Sequence, residues 1–287
     1  MTKQISPLRQ RMIDDMALRN MSPATQKVYT YAVANFARFH GCSPDKLGVE
    51  DVRVYRLHLL SRGLKATSIN PIIGALRFFY GTTLGQKPMA EEIPFARKED
   101  TLPAVLTRDE VVRLLKAVPD PKIRTALITI YATGLRVSEV VALTGKDINS
   151  ERMVIEVRQG KGRKDRYVML SEQLLAILRD YWRRRRPSAC LFPGTDPTQP
   201  ITTRSLQRAC REAANAAGLD KSVTVHTLRH SFATHLLEQG VDTRVIQDLL
   251  GHRQITSTTR YARVAVNTIR QIQSPLELLN IERPPPA

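Results

Sequence analysis

The stretch IPFARKEDTLPAV, residues 93–105, constrains this chain more than any other. It holds two prolines, mixed charge and no hydrophobic period, so neither a helix nor a strand runs through it. A chain interrupted there has to build two separate cores. With 287 residues, 42% of them hydrophobic, there is enough material for both. The expected division is residues 1–98, a linker at 99–106 and a second domain at 107–287.

Before the break the periodicity is helical. Residues 8–19 form an amphipathic stretch, and Ser22-Pro23 supplies an N-cap followed by proline at the first helical position. The helix opened there places Val28, Tyr31 or Ala32, Asn35, Phe36 and Phe39 at helical spacing. A third helix follows Val49-Glu50-Asp51. A fourth starts near Ala66-Thr67, with Ile69, Ile72, Ile73, Leu76 and Phe79 as its apolar residues. After the break, Thr107-Arg108-Asp109-Glu110 has the form of a capping box and opens a helix around Val111 to Val118. Met153 to Val157 and Arg166 to Leu170 are β-rich runs separated by RQGKGRKD, a hairpin with a basic, glycine-bearing loop. Residues 172–186 return to helix. The closing IERPPPA cannot fold by itself, and there is no internal repeat. The fold class is mainly α: a small helical domain, then a larger, mostly helical one with a small β-hairpin or sheet.

Charge narrows the partner. Lys and Arg number 44 against 27 Asp and Glu, a formal +17. The excess is shared, +8 in residues 1–98 and +9 in the remainder. Two basic lobes suggest a polyanion held between or along them. Cys42, Cys190 and Cys210 lie far apart with no CxxC or Cys/His spacing, which supports neither a zinc site nor a disulfide framework. The first ten residues carry no apolar targeting segment, and no run approaches the ~18 apolar residues of a membrane span. The expectation is a cytoplasmic protein with access to nucleic acid.

Residues 226–237 read HTLRHSFATHLL. At about 100° per residue, Leu228, Phe232 and Leu236 share one side with His235 near them, while His226, Arg229, His230 and Ala233 lie opposite. A zinc-protease motif would need Glu directly after the first histidine, and Thr227 stands there. Arg229 between the two histidines also opposes a dication. A guanidinium beside a histidine suits an anion, because its planar fork can hold two phosphate oxygens. Arg136, just after the helix-ending Gly134, His252 after Gly251, and Tyr261 each have an ordinary structural explanation when taken singly: a salt bridge to Glu139, a helix cap, a half-buried aromatic.

Together, ATGLRVSE, the GKG of the hairpin, HTLRHSFATHLLEQG, LLGH and the downstream Tyr261 resemble the tyrosine recombinases, the phage-integrase family. The resemblance covers residues 104–265; the preceding helical domain is similar, through weaker motifs, to that family's SAM-like core-binding domain. It implies that Arg136 and Arg229 hold a scissile phosphate, that Lys161 is the hairpin lysine, that His226 and His252 are the two histidines and that Tyr261 is the nucleophile. Lys164 competes with Lys161, which is preferred because the family's lysine precedes the second glycine. His230 and Glu139 read as supports. The chemistry suits the set: two guanidiniums replace a metal around a phosphodiester, and a phenol of pKa about 10 needs a base such as His226 before it attacks. Lys161 can protonate the leaving oxygen. No cofactor and no metal are called for.

The implied partners are double-stranded DNA, with Lys27, Arg77 and Arg204 as candidate phosphate contacts, and further copies of the chain. In this family a C-terminal segment, here residues 266–279 with Val266, Ile269, Ile272 and Leu276, docks on a neighbouring protomer within a tetramer on two DNA sites. Few residues precede the first helix, so an added arm-binding domain is not expected, and no long insertion separates His226 from His252. The layout is that of Xer-like or transposon-associated recombinases. Competing readings are a type IB topoisomerase and a catalytically silent DNA-binding relative.

Overall fold

The computed structural model describes residues 5–97, 104–158, 165–251 and 273–278. The chain forms two compact units, Met1–Thr101 and Leu102–Ala287.

The first unit contains α1 (Pro7–Leu18), α2 (Pro23–His40), α3 (Val49–Ser61), α4 (Ala66–Phe78), a π-helical turn over Phe79–Thr83, and α5 (Lys87–Glu92). Ser22 caps α2 by accepting from the Thr25 amide at 3.2 Å. Asp51 does the corresponding work for α3, accepting from the Gly48 amide at 2.7 Å. The packing of α2 against α4 dominates the unit. It buries Ala32, Val33 and Phe36 of α2 against Ile69, Ile73 and Leu76 of α4. This corrects the stripe expected for α2: Val28, Tyr31 and Phe39 are exposed, Tyr31 at 65%. Apolar residues occupy two adjacent faces of α2, and only contact with α4 selects between them. The short α5 was not expected, because six residues carry too little period to read.

The second unit comprises α6 (Arg108–Lys116), α7 (Pro121–Thr133), α8 (Val137–Ala142), β1 (Ile148–Asn149), β2 (Val154–Val157), β3 (Arg166–Met169), α9 (Glu172–Arg185), α10 (Thr203–Ala216), α11 (Val225–Glu238) and α12 (Thr243–Leu250). The capping box of α6 is formed, Thr107 and Glu110 exchanging hydrogen bonds of 2.7 and 3.2 Å. At the centre lies α7, whose residues Thr125 to Thr133 are all buried, as expected of a helix surrounded by its own domain. Thr129 and Thr133 satisfy their hydroxyls on the carbonyls of Thr125 and Thr129, at 2.8 and 2.6 Å. Against α7 packs α11, with Leu228, Phe232 and Leu236 inward, and α9 also lies on it.

The sheet is antiparallel in the order β1-β2-β3, with Val154 opposite Met169 and Val157 opposite Arg166. The β2–β3 hairpin matches the expected one; β1, two residues long, is an addition. Near the C-terminus, Ser274 Oγ donates to Ala132 O at 3.1 Å, and Glu277 accepts from the Gln173 amide at 3.1 Å. Of the segment 266–279 expected to dock in trans, residues 273–278 therefore pack on their own unit. The rest of that segment lies outside the described residues. Among the described residues no helix is long and apolar enough to cross a membrane.

Candidate active site

Two glycines make the site possible. Helix α7 ends at Gly134 (φ +67°) and α12 at Gly251 (φ +61°), both left-handed C-caps. A Cβ on Gly134 would stand 2.5 Å from a ring carbon of Phe232 and 2.9 Å from a methyl of Leu250. Glycine thus lets the ends of α7 and α12 close onto α11. The turn after Gly134 delivers Arg136 at the N-cap of α8. Thr224 caps α11, accepting from the Thr227 amide at 3.2 Å, and that helix carries His226, Arg229 and His230.

Three consecutive carbonyls at the end of α12 each accept from a different arginine. Leu249 O takes Arg166 Nε at 3.0 Å, Leu250 O takes Arg229 Nη2 at 2.6 Å, and Gly251 O takes Arg136 Nη2 at 3.1 Å. A helix C-terminus leaves its last carbonyls without helical partners and carries partial negative charge. Here guanidiniums from three separate elements, α8, β3 and α11, fill that role. Arg229 Nη1 also donates to Gly134 O, so this side chain ties the two glycine-capped helix ends together.

One carboxylate lies among these cations. Glu139 accepts from the Arg136 amide at 2.8 Å and Arg136 Nη1 at 2.9 Å. It also takes both terminal nitrogens of Arg166, at 2.9 and 2.8 Å. Burial works to raise its pKa, but the Arg166 and Arg136 donors outweigh that and hold it at about 2. Arg229 is only 3% exposed. Burial first, then the charges of Arg136 and Arg166, push its guanidinium down to about 10, with Glu139 acting the other way. It is still a cation at neutral pH. Among the described residues three guanidiniums gather around one carboxylate, a positive surrounding that suits an anion.

His226 is exposed on the first turn of α11, its ring edge-on to that of His230 with centroids 4.4 Å apart. Burial, and then the neighbouring Arg229, lower the pKa of His230, which keeps its imidazole neutral at pH 7. His235 proves to be a core residue, its Nδ1 2.8 Å from the hydroxyl of Tyr131. The structure thus brings Arg136, Arg229, His226, His230 and Glu139 into one neighbourhood. Lys161, Lys164, His252 and Tyr261 lie outside the described residues.

Known proteins resemble this chain over most of its length. The description "Phage integrase family" matches residues 104–268, and "Phage integrase, N-terminal SAM-like domain" matches residues 8–88. The chain belongs to the phage integrase family. The putative integrase/recombinase y4qK of Sinorhizobium fredii is 50% identical over 287 residues, covering 99% of this chain and 93% of that protein. Tyrosine recombinase XerA of Pyrococcus furiosus is 36% identical, covering 95% and 96%. Among solved structures, XerA recombinase superposes with a TM-score of 0.50 at 28% identity, over 93% of this chain and 98% of that one. A lambda integrase dimer bound to a COC′ core site gives 0.72 at 19% identity, over 87% and 95%, a likeness of fold.

Within this phage-integrase fold, Arg166 was not singled out from sequence. The signal available was a charged residue opening an otherwise apolar strand; its side chain is turned inward, 13% exposed. The candidate DNA contacts divide. Lys27 on α2 and Arg204 on α10 are exposed. Arg77 is not a free surface cation. It donates to Ile93 O at 2.7 Å and lies over the Phe95 ring, 5.2 Å from its centroid, which makes it a tether for the segment after α5.

Proposed function

We propose that the chain is a site-specific DNA recombinase of tyrosine type, cutting and rejoining double-stranded DNA without metal or ATP. The observation that best supports this is the arginine array on the end of α12. It fixes Arg136 and Arg229 against the turn that leads directly into position 252 and leaves a net positive site beside His226.

In this reading Arg136 and Arg229 bind the non-bridging oxygens of the scissile phosphate and stabilise the charge that builds on them in the transition state. The Tyr261 oxygen attacks phosphorus and its proton passes to His226. The bond from phosphorus to the 5′ oxygen breaks, and Lys161 gives that oxygen a proton. His252 contacts the phosphate or orients the nucleophile. The product is a 3′-phosphotyrosyl link that conserves the phosphoester bond energy, so attack by another 5′ hydroxyl rejoins the strand. Glu139 holds Arg136 in place. A lambda integrase tetramer on a Holliday junction has this fold, and we extend a tetramer on two DNA sites to this chain. We place its work in the cytoplasm, where the DNA is.

The test is covalent trapping. Wild-type protein and Tyr261→Phe are incubated in EDTA with nicked duplex taken from DNA flanking the gene, then resolved in SDS. A stable protein–DNA adduct from wild type alone is the expected result. Binding without adduct from either protein would move the chain to the silent DNA-binding class.

A further inference from the structure

We infer that Arg166 is a positioning residue for this chemistry, coupling the β-hairpin to the phosphate-holding arginines; the inference rests on the activity proposed above. Arg166 opens β3, at the end of the hairpin loop in which Lys161 lies, and pairs across the sheet with Val157. From there its side chain reaches two other parts of the site at once. Its terminal nitrogens meet both oxygens of Glu139 side-on, at 2.9 and 2.8 Å, while Nε bonds Leu249 O at 3.0 Å. The guanidinium also lies flat against Gly251, where a Cβ would stand 3.2–3.3 Å from it.

Each contact is one step from a group that would touch the phosphate. The carboxylate that Arg166 grips takes both the amide and the side chain of Arg136. The carbonyl it grips adjoins those holding Arg229 and Arg136. Two parallel bonds to a carboxylate define an orientation as well as a distance, which a lysine's single rotatable ammonium does not. Arg166 therefore does two things that a mere stabilising ion pair would not. It fixes the plane of Glu139, and through it the fork of Arg136. It also ties the start of β3 to the turn before position 252.

The experiment compares wild type, Arg166→Lys and Arg166→Ala on nicked duplex at saturating DNA. It follows single-turnover adduct formation, DNA affinity and thermal melting together. Misplacing a reacting group by about 1 Å costs roughly a hundredfold in rate. Arg166→Ala is expected to slow adduct formation about 30- to 100-fold while DNA affinity stays within about threefold, and millimolar guanidinium is expected to restore part of the rate in this variant alone. Arg166→Lys, retaining charge and fold but not the fork, should stay about tenfold slow. Adduct formation at the wild-type rate in either variant overturns the inference. So does a loss that follows melting and that guanidinium does not relieve. If wild type itself forms no adduct, it is the proposed activity that fails.

Discussion

Arg77 and Arg229 are alike in sequence terms, each an arginine on an apolar helix, and each donates to backbone carbonyls. Their surroundings differ. Arg77 is half-buried, stacks on Phe95 and bonds the carbonyls of Ile93 and Glu91. Arg229 is buried beside two other guanidiniums whose charges lower its own pKa. A single half-buried guanidinium tethering a loop is an ordinary device of folding. Gathering three cations around one carboxylate, with Arg229 buried, is unfavourable unless an anion completes the arrangement. The comparison teaches that a structural arginine can be told from a functional one by the charge left unbalanced around it.

That contrast can be broken in order of effect. Arg229→Ala should slow adduct formation roughly a thousandfold, the loss typical of a transition-state donor to an oxyanion, whereas Arg77→Ala should leave it unchanged when DNA is saturating. Equal losses would erase the distinction. Gly134→Ala should destabilise the chain by about 3 kcal/mol in denaturant titration, because the new methyl meets the Phe232 ring in a backbone conformation that alanine resists. An unchanged midpoint would show that the ends of α7 and α12 are not closed on α11 as described.

Glu139 gives the comparison a pH axis. Its folded pKa of about 2 lies below the ordinary carboxylate value, so its contribution to stability is complete above about pH 4.5 and is lost as pH falls towards 2. Glu139→Gln should be less stable than wild type at pH 7, with the difference shrinking through that window; a constant difference would show that the Arg166 and Arg136 donors do not hold the carboxylate ionised. The smallest effect belongs to Arg77→Ala. Loss of its carbonyl bond should lower stability by about 1 kcal/mol, read by denaturant unfolding.

Much of this is legible in the sequence alone. The capping box at Thr107, the helix-ending Gly134 and the β2–β3 hairpin follow from local chemistry, which sequence records directly. Arg136 and Arg229 were found through their motifs, and Arg229 was already placed on the polar side of its helix. What sequence did not carry was contact at long range. Nothing in the text of residues 166–170 says that Arg166 turns inward to meet Glu139, 27 positions earlier in the chain. The buried face of α2 depended on α4 in the same way, and so did the role of Arg77 on its neighbours at 91–95. Residue type and period specify what an element can bury; which face is buried is decided by the partner.

The most direct measurement of the arginine array as a phosphate clamp removes the charge it is built to meet. Wild type and Arg229→Ala would be compared in single-turnover adduct formation on nicked DNA carrying either a phosphate or a neutral methylphosphonate at the scissile position. If Arg136 and Arg229 act by neutralising the phosphate, the roughly thousandfold deficit of the variant on phosphate should shrink to about tenfold or less on methylphosphonate. A deficit of the same size on both substrates would contradict that role and return Arg229 to the structural class in which Arg77 belongs.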